Sequence, residues 1–184
     1  MKKFLQFAGL ISLVLAAVGF VLMMTTHALE YSAAGALGSK AEGWYSGMAV
    51  IFGKGQAYAT GSILGLTLSG TDTWEGKLAL TSLLGWIFAL VAIVIILLGV
   101  VLPLLKINAL QKFAGLLNLI AVCLLVIAGV FAFITLPVFS AANEWSSTKD
   151  WALGAGWVIA GILYIAAGVI AIMPAAADFM AKKK

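Results

Sequence analysis

Arginine is absent from this 184-residue chain, cysteine and histidine occur once each, proline three times, and only 10% of the residues are charged. Each shortage excludes something. Without arginine there is no bidentate reader of phosphates or base edges, so the net charge of +4 does not point to nucleic acid. The lone Cys123 rules out an intramolecular disulfide and paired-thiol redox chemistry. Inside an apolar run it is expected to be a small buried side chain. His27 by itself cannot assemble a metal site, and a haem pocket usually asks for a second strong axial ligand. No metal or cofactor is expected.

What fills the chain instead is apolar. Hydrophobic residues make up 64% of it, against roughly 45–50% in soluble domains. Cutting the sequence at its charges leaves four long uncharged intervals, 4–29, 78–105, 113–143 and 151–177. Each exceeds the ~20 residues that a helix needs to cross a hydrocarbon core. The expected spans are 4–26, 79–103, 113–137 and 151–174, with a long loop at 27–78 and one membrane domain over 1–184. The first apolar run is longer than the ~7–15 residues of a signal-peptide core, so it is expected to stay as an anchor.

The lysines give the orientation. Lys2, Lys3, Lys106, Lys112 and Lys182–Lys184 alternate with the spans and share their side only with Asp178. The other side carries Lys40, Lys54, Lys77 and Lys149 against Glu30, Glu42, Asp72, Glu75, Glu144 and Asp150. Basic short loops face the cytoplasm, which puts both termini inside and the 27–78 loop outside. The 106–112 connection is short enough to require adjacent antiparallel helices.

Chemistry is scarce. No ionisable residue lies deep in a span, where one would point to a proton relay or ion path. Ser12, Ser82, Asn118 and Thr135 are polar exceptions suited to bonding between helices. The outer acids lack the spacing of a calcium loop, and the glycines around Lys54 do not follow a strand into a helix as a phosphate cradle would. No enzymatic activity is expected. In the fourth span Gly154, Gly161, Gly168 and Ala175 recur every seven residues, and such a stripe of small side chains marks a helix-packing face.

The 27–78 loop is itself apolar and punctuated by glycine. "WYSGMAVIF" (44–52) reads as a strand and "AYATGSILGLTLSG" (57–70) as one or two more. On a strand Trp44, Met48 and Phe52 share one face, expected to bury against the outer helix ends. Tyr45, Gly47, Ala49 and Ile51 form the other, expected to be a flat contact for a neighbouring protomer. Trp44, Tyr45, Met48, Ala49, Ile51 and Phe52 are therefore the candidate interaction residues. Trp86, Trp145 and Trp151 are expected near membrane interfaces.

Four spans, inner termini, a first outer loop of roughly fifty residues and a short second loop resemble the claudin and PMP22-like four-span proteins. Trp44 matches the tryptophan of that family's first-loop motif, and Lys77 the basic residue before the second span. The family's cysteine pair has no counterpart. The resemblance implies a small β-sheet resting on the bundle and a role in junctions, adhesion or membrane organisation. The expected fold is thus an all-α membrane protein, a four-transmembrane-helix bundle with a small β-rich extracellular cap from the first outer loop. The expected function is a non-enzymatic integral protein of the plasma or cytoplasmic membrane, with the lipid bilayer and a second copy or another membrane protein as partners. An oligomeric channel or transport subunit is the alternative.

Overall fold

The computed structural model of the protein describes residues 2–35, 39–63, 66–104 and 114–181. In chain order the elements are α1 (Lys2–Thr25), β1 (His27–Ala34), β2 (Lys40–Ser46), α2 (Gly47–Phe52), β3 (Lys54–Ile63) and β4 (Leu66–Glu75). They continue with α3 (Leu80–Leu104), α4 (Ala114–Phe133), α5 (Thr135–Ala142), β5 (Trp151–Leu153) and α6 (Ala155–Ala181). Four helices, α1, α3, α4 and α6, are long and apolar enough to cross a membrane. The 106–112 connection and Lys182–Lys184 lie outside the described residues.

The four long helices close into a ring, α1 against α6, α6 against α4, α4 against α3 and α3 against α1. α6 is the hub. Toward α4, a side chain at Gly161 would meet the Phe133 ring at 3.0 Å, and one at Gly168 the Val122 carbonyl at 3.3 Å. Toward α1, Tyr164 fills the notch at Gly19 and donates to the Met23 sulfur at 3.7 Å. The small residues of this stripe therefore let backbones of the same chain approach closely. Buried hydroxyls are paired across helices, Ser12 donating to the Ala167 carbonyl at 2.8 Å and Ser82 bonding Thr135 at 2.9 Å. Around the ring, Val14, Val91, Val130 and Ile162 point outward and are exposed.

Three features depart from the sequence expectation. The third apolar run is not one helix over 113–137, because α4 ends at Phe133 and α5 starts afresh at Thr135. Pro137 is the cause. It has no N–H to give the Phe133 carbonyl, and its ring crowds that carbonyl. Beside the break Thr135 Oγ1 donates to the Phe131 carbonyl at 3.0 Å. Next, the fourth run does not start its helix at 151. Residues 151–153 form a strand, and α6 begins at Ala155. Finally, Cys123 is exposed on the outer surface of α4 rather than buried.

The β-rich cap expected beside the four helices is present as a sheet. A five-stranded antiparallel sheet of order β4-β3-β2-β1-β5 stands at one end of the helices, its fifth strand supplied from beyond α5. Three glycines join this sheet to the ring by gripping the α1–β1 junction. A Cβ at Gly47 would collide with the Met23 carbonyl, one at Gly154 with the His27 carbonyl, and one at Gly156 with the Thr26 side chain. Gly47 N–H donates to Thr26 O and Gly154 N–H to Ala28 O, each at 3.0 Å. Gly154 thus lies before the helix, in the turn from β5, and is not part of the α6 packing stripe.

Candidate functional site

Strand register sorts the sheet into two faces. Trp151, Tyr31, Gly43, Ala59 and Gly70 lie in one cross-strand row, and Leu153, Leu29, Tyr45, Ala57 and Asp72 in the next on the same face. Farther along come Ala33, Ala41, Gly61 and Leu68. The opposite face holds Glu30, Trp44, Tyr58 and Thr71 in one row, and Ser32, Glu42, Thr60 and Ser69 in another. Alternation of this kind makes a sheet that is apolar on one side and polar on the other.

The apolar face docks on the helix ends through Tyr45. Its ring centroid lies 5.1 Å from Trp74, 5.5 Å from Phe139, 5.9 Å from Trp145 and 5.5 Å from Trp151. Burial in this cluster raises the Tyr45 phenol pKa above its ordinary value, so the ring stays neutral. Trp44, expected to be the buried neighbour, faces the other way. It stacks on His27 at 4.1 Å with planes 9° apart and on Tyr58 at 5.8 Å. Trp145 and Trp151 belong to the docking cluster, their own centroids 4.4 Å apart.

The predicted strand ends at Ser46. Residues 47–52 are a helical turn and a half, held at both ends by sequence signals. Ser46 Oγ caps α2 by accepting from Ala49 N at 3.3 Å, and Gly53 closes it with a left-handed φ of 72°. Met48 and Phe52 consequently do not share a strand face with Trp44. Ala49 and Ile51 are fully buried, so the flat protomer contact expected over Tyr45, Gly47, Ala49 and Ile51 does not exist as a surface. Phe52 is partly exposed and packs edge-on against Trp86 at 5.3 Å. Trp86 also meets Phe20, at 5.4 Å.

Beyond α2, the run from β4 to α3 is tied to the end of α5. Asn143 accepts from Lys77 N–H at 3.0 Å and donates to the Lys77 carbonyl at 2.8 Å. Lys77 Nζ reaches Glu144 at 2.6 Å. The lysine's hydrogen bond and charge hold the Glu144 carboxyl below the usual carboxylate range. A carboxyl lowered by folding stabilises the folded state above its unfolded pKa, and that contribution disappears as pH falls through the lowered value. Glu144→Gln is therefore expected to remove a small part of the stability at neutral pH and none once the pH has fallen through the lowered value, with the difference shrinking in ~1 M salt. Thermal unfolding of both proteins across that pH range checks it. A deficit that persists at low pH would mean that Glu144 acts otherwise than by charge.

Two regions of the sheet are left uncovered. One is a concavity of about 310 Å³ on the apolar face, lined by Tyr31, Gly43, Tyr45, Ala59, Asp72 and Trp151 among others. The other is β4, an edge strand ten residues long that is exposed at every position except Trp74. Leu66 and Leu68 on it are 78% and 82% exposed. No cluster of metal-ligating side chains occurs among the described residues. No protein-family model and no curated protein matches the chain.

Proposed function

We propose that this chain is a non-enzymatic integral membrane protein that crosses the bilayer four times, keeps both termini in the cytoplasm, and self-associates through its outer sheet. The apolar belt around α1, α3, α4 and α6 supports the membrane address. The excess of lysine in the sequence segments that alternate with the 27–78 loop across the spans supports the orientation. On this reading the claudin and PMP22-like proteins are an architectural parallel, with the sheet in the place of their first-loop sheet.

The observation that carries self-association is the β4 edge. Exposed edge strands are normally blunted by lysine, proline, a bulge or short length. β4 is long, contains no lysine or proline, and pairs with β3 in unbroken register from Lys54–Glu75 to Ile63–Leu66. Its free backbone groups and two bare leucines are suited to an identical strand across a two-fold axis, which would extend the sheet from one copy into the next.

Cross-linking in native membranes tests the reading. The double variant Leu66→Lys, Leu68→Lys leaves the monomer unstrained, because both side chains stand in solvent. It replaces the two bare apolar side chains with lysine, the residue that blunts natural sheet edges, and is expected to cut cross-linked dimer by about tenfold or more. Unchanged dimer, with the sheet shown intact by circular dichroism, would rule out this edge.

A further inference from the structure

The concavity on the apolar face carries chemistry that self-association through β4 does not use. Its floor is almost bare of side chains, being built from Gly43, Ala57, Ala59 and Gly70 in the middle of the sheet. One wall is aromatic. Trp151 stands between Tyr31 and Tyr45, with ring centroids 5.1 Å and 5.5 Å away. Asp72 stands across from that wall, in the Tyr45 row with Ala57 between them, which sets them two strand spacings or ~10 Å apart.

The charge pattern is one-sided. Glu75 and Glu144 are each ion-paired, with Lys54 and Lys77, and Glu30 lies 3.7 Å from the His27 ring. Asp72 is in no ion pair among the described residues, and it shares the face of this concavity, whereas the Glu42 side chain belongs to the opposite face. Asp72 uses one oxygen to accept from Thr73 N–H at 2.7 Å. No lysine or histidine lines it. An anion would meet the Asp72 carboxylate and no cation. A neutral hydrocarbon would leave that carboxylate without a counter-charge. Aromatic faces are negative at their centres and attract cations, most strongly when the cation has little hydration to lose. A volume of about 310 Å³ lies at the small end of ligand sites, room for a compact head group.

We propose that this aromatic-walled concavity binds an alkylated ammonium group, with Tyr31, Tyr45 and Trp151 facing the cation and Asp72 balancing its charge. The group arrives either on a free solute or on the choline head of a lipid in the outer leaflet. The site lies within one protomer, so it holds whether or not the β4 edge pairs copies.

The full chain in nanodiscs of phosphatidylglycerol is titrated calorimetrically with choline, and in parallel with 3,3-dimethylbutan-1-ol, its neutral isostere. Choline is expected to bind at least about tenfold more tightly than the isostere, since the shapes match and only the charge differs. Two substitutions spare the fold. Asp72→Asn alters an exposed side chain, and Gly70→Leu adds bulk where nothing lies within 4 Å of a Cβ. Asp72→Asn is expected to weaken choline about tenfold, and Gly70→Leu, which fills the floor, to abolish it. Repeating the titration with phosphatidylcholine in the nanodisc separates the sources. Competition by the lipid assigns the site to a head group, and unchanged choline binding assigns it to a free solute. No choline binding, equal binding of the isostere, or full binding by Gly70→Leu would each overturn the proposal.

Discussion

Gly47→Ala is expected to destabilise the folded protein by about 3 kcal/mol, the upper end of the usual overpacking penalty, although it adds one methyl group. The added carbon has nowhere to go. It would overlap the Met23 carbonyl of α1 and stand 3.0 Å from the Trp157 ring. Neither can yield. Met23 is the backbone of the last turns of a long helix, and Trp157 is fully buried with its indole N–H donating to the Ala132 carbonyl at 3.1 Å. Moving the start of α2 away instead would break the Gly47 N–H bond to Thr26 O. The control is Gly61→Ala, at a sheet glycine with nothing within 4 Å of its Cβ, which is expected to be close to neutral. Thermal unfolding in mild detergent compares the two. Equal stability of the two variants would show that the α1–β1 junction is not clamped as described.

The four long helices were legible because their signal is length, and uninterrupted apolar runs need no knowledge of their neighbours. Of the sheet, β1 was not read as a strand, whereas the stretch 57–70 was legible because its alternation is clean, Ala57, Ala59 and Gly61 alternating with Tyr58, Thr60 and Ser62. Residues 47–52 were not. Six apolar residues fit a strand or a helical turn equally well. The choice was made by the cap at Ser46 and the left-handed Gly53, whose meaning lies outside the run itself. β5 was hidden for a different reason. Trp151–Leu153 is apolar and joins a membrane-length run without a break, so only the free edge of β1 reveals it as a strand. The concavity was least visible of all, because its aromatic wall takes Tyr31, Tyr45 and Trp151 from three strands far apart in sequence.

The same distant pairing decides which face of β2 holds the sheet to the helices, and adjacent residues test it. Tyr45→Ala removes the centre of the cluster of Trp74, Phe139, Trp145 and Trp151. Truncating a large packed aromatic costs about 3–5 kcal/mol, and the half-buried position of Tyr45 puts it near 3. Trp44→Ala removes only the stack on His27 and Tyr58 on the polar face, a loss of about 1 kcal/mol. The long helices pack against one another without Tyr45, so the deficit should fall on the sheet. Its strands are expected to exchange backbone hydrogens about a hundredfold faster in Tyr45→Ala, while α1 and α6 keep their protection. Trp44→Ala should change neither by more than about tenfold. From the sequence, the larger ring on the strand looked like the buried anchor. The reverse order is expected because Tyr45 shares its face with four aromatic partners. Trp44 meets one tyrosine and one histidine in reach of water. Faster exchange throughout the helices in Tyr45→Ala, or a larger effect from Trp44→Ala, would show that the sheet is held by something other than this cluster.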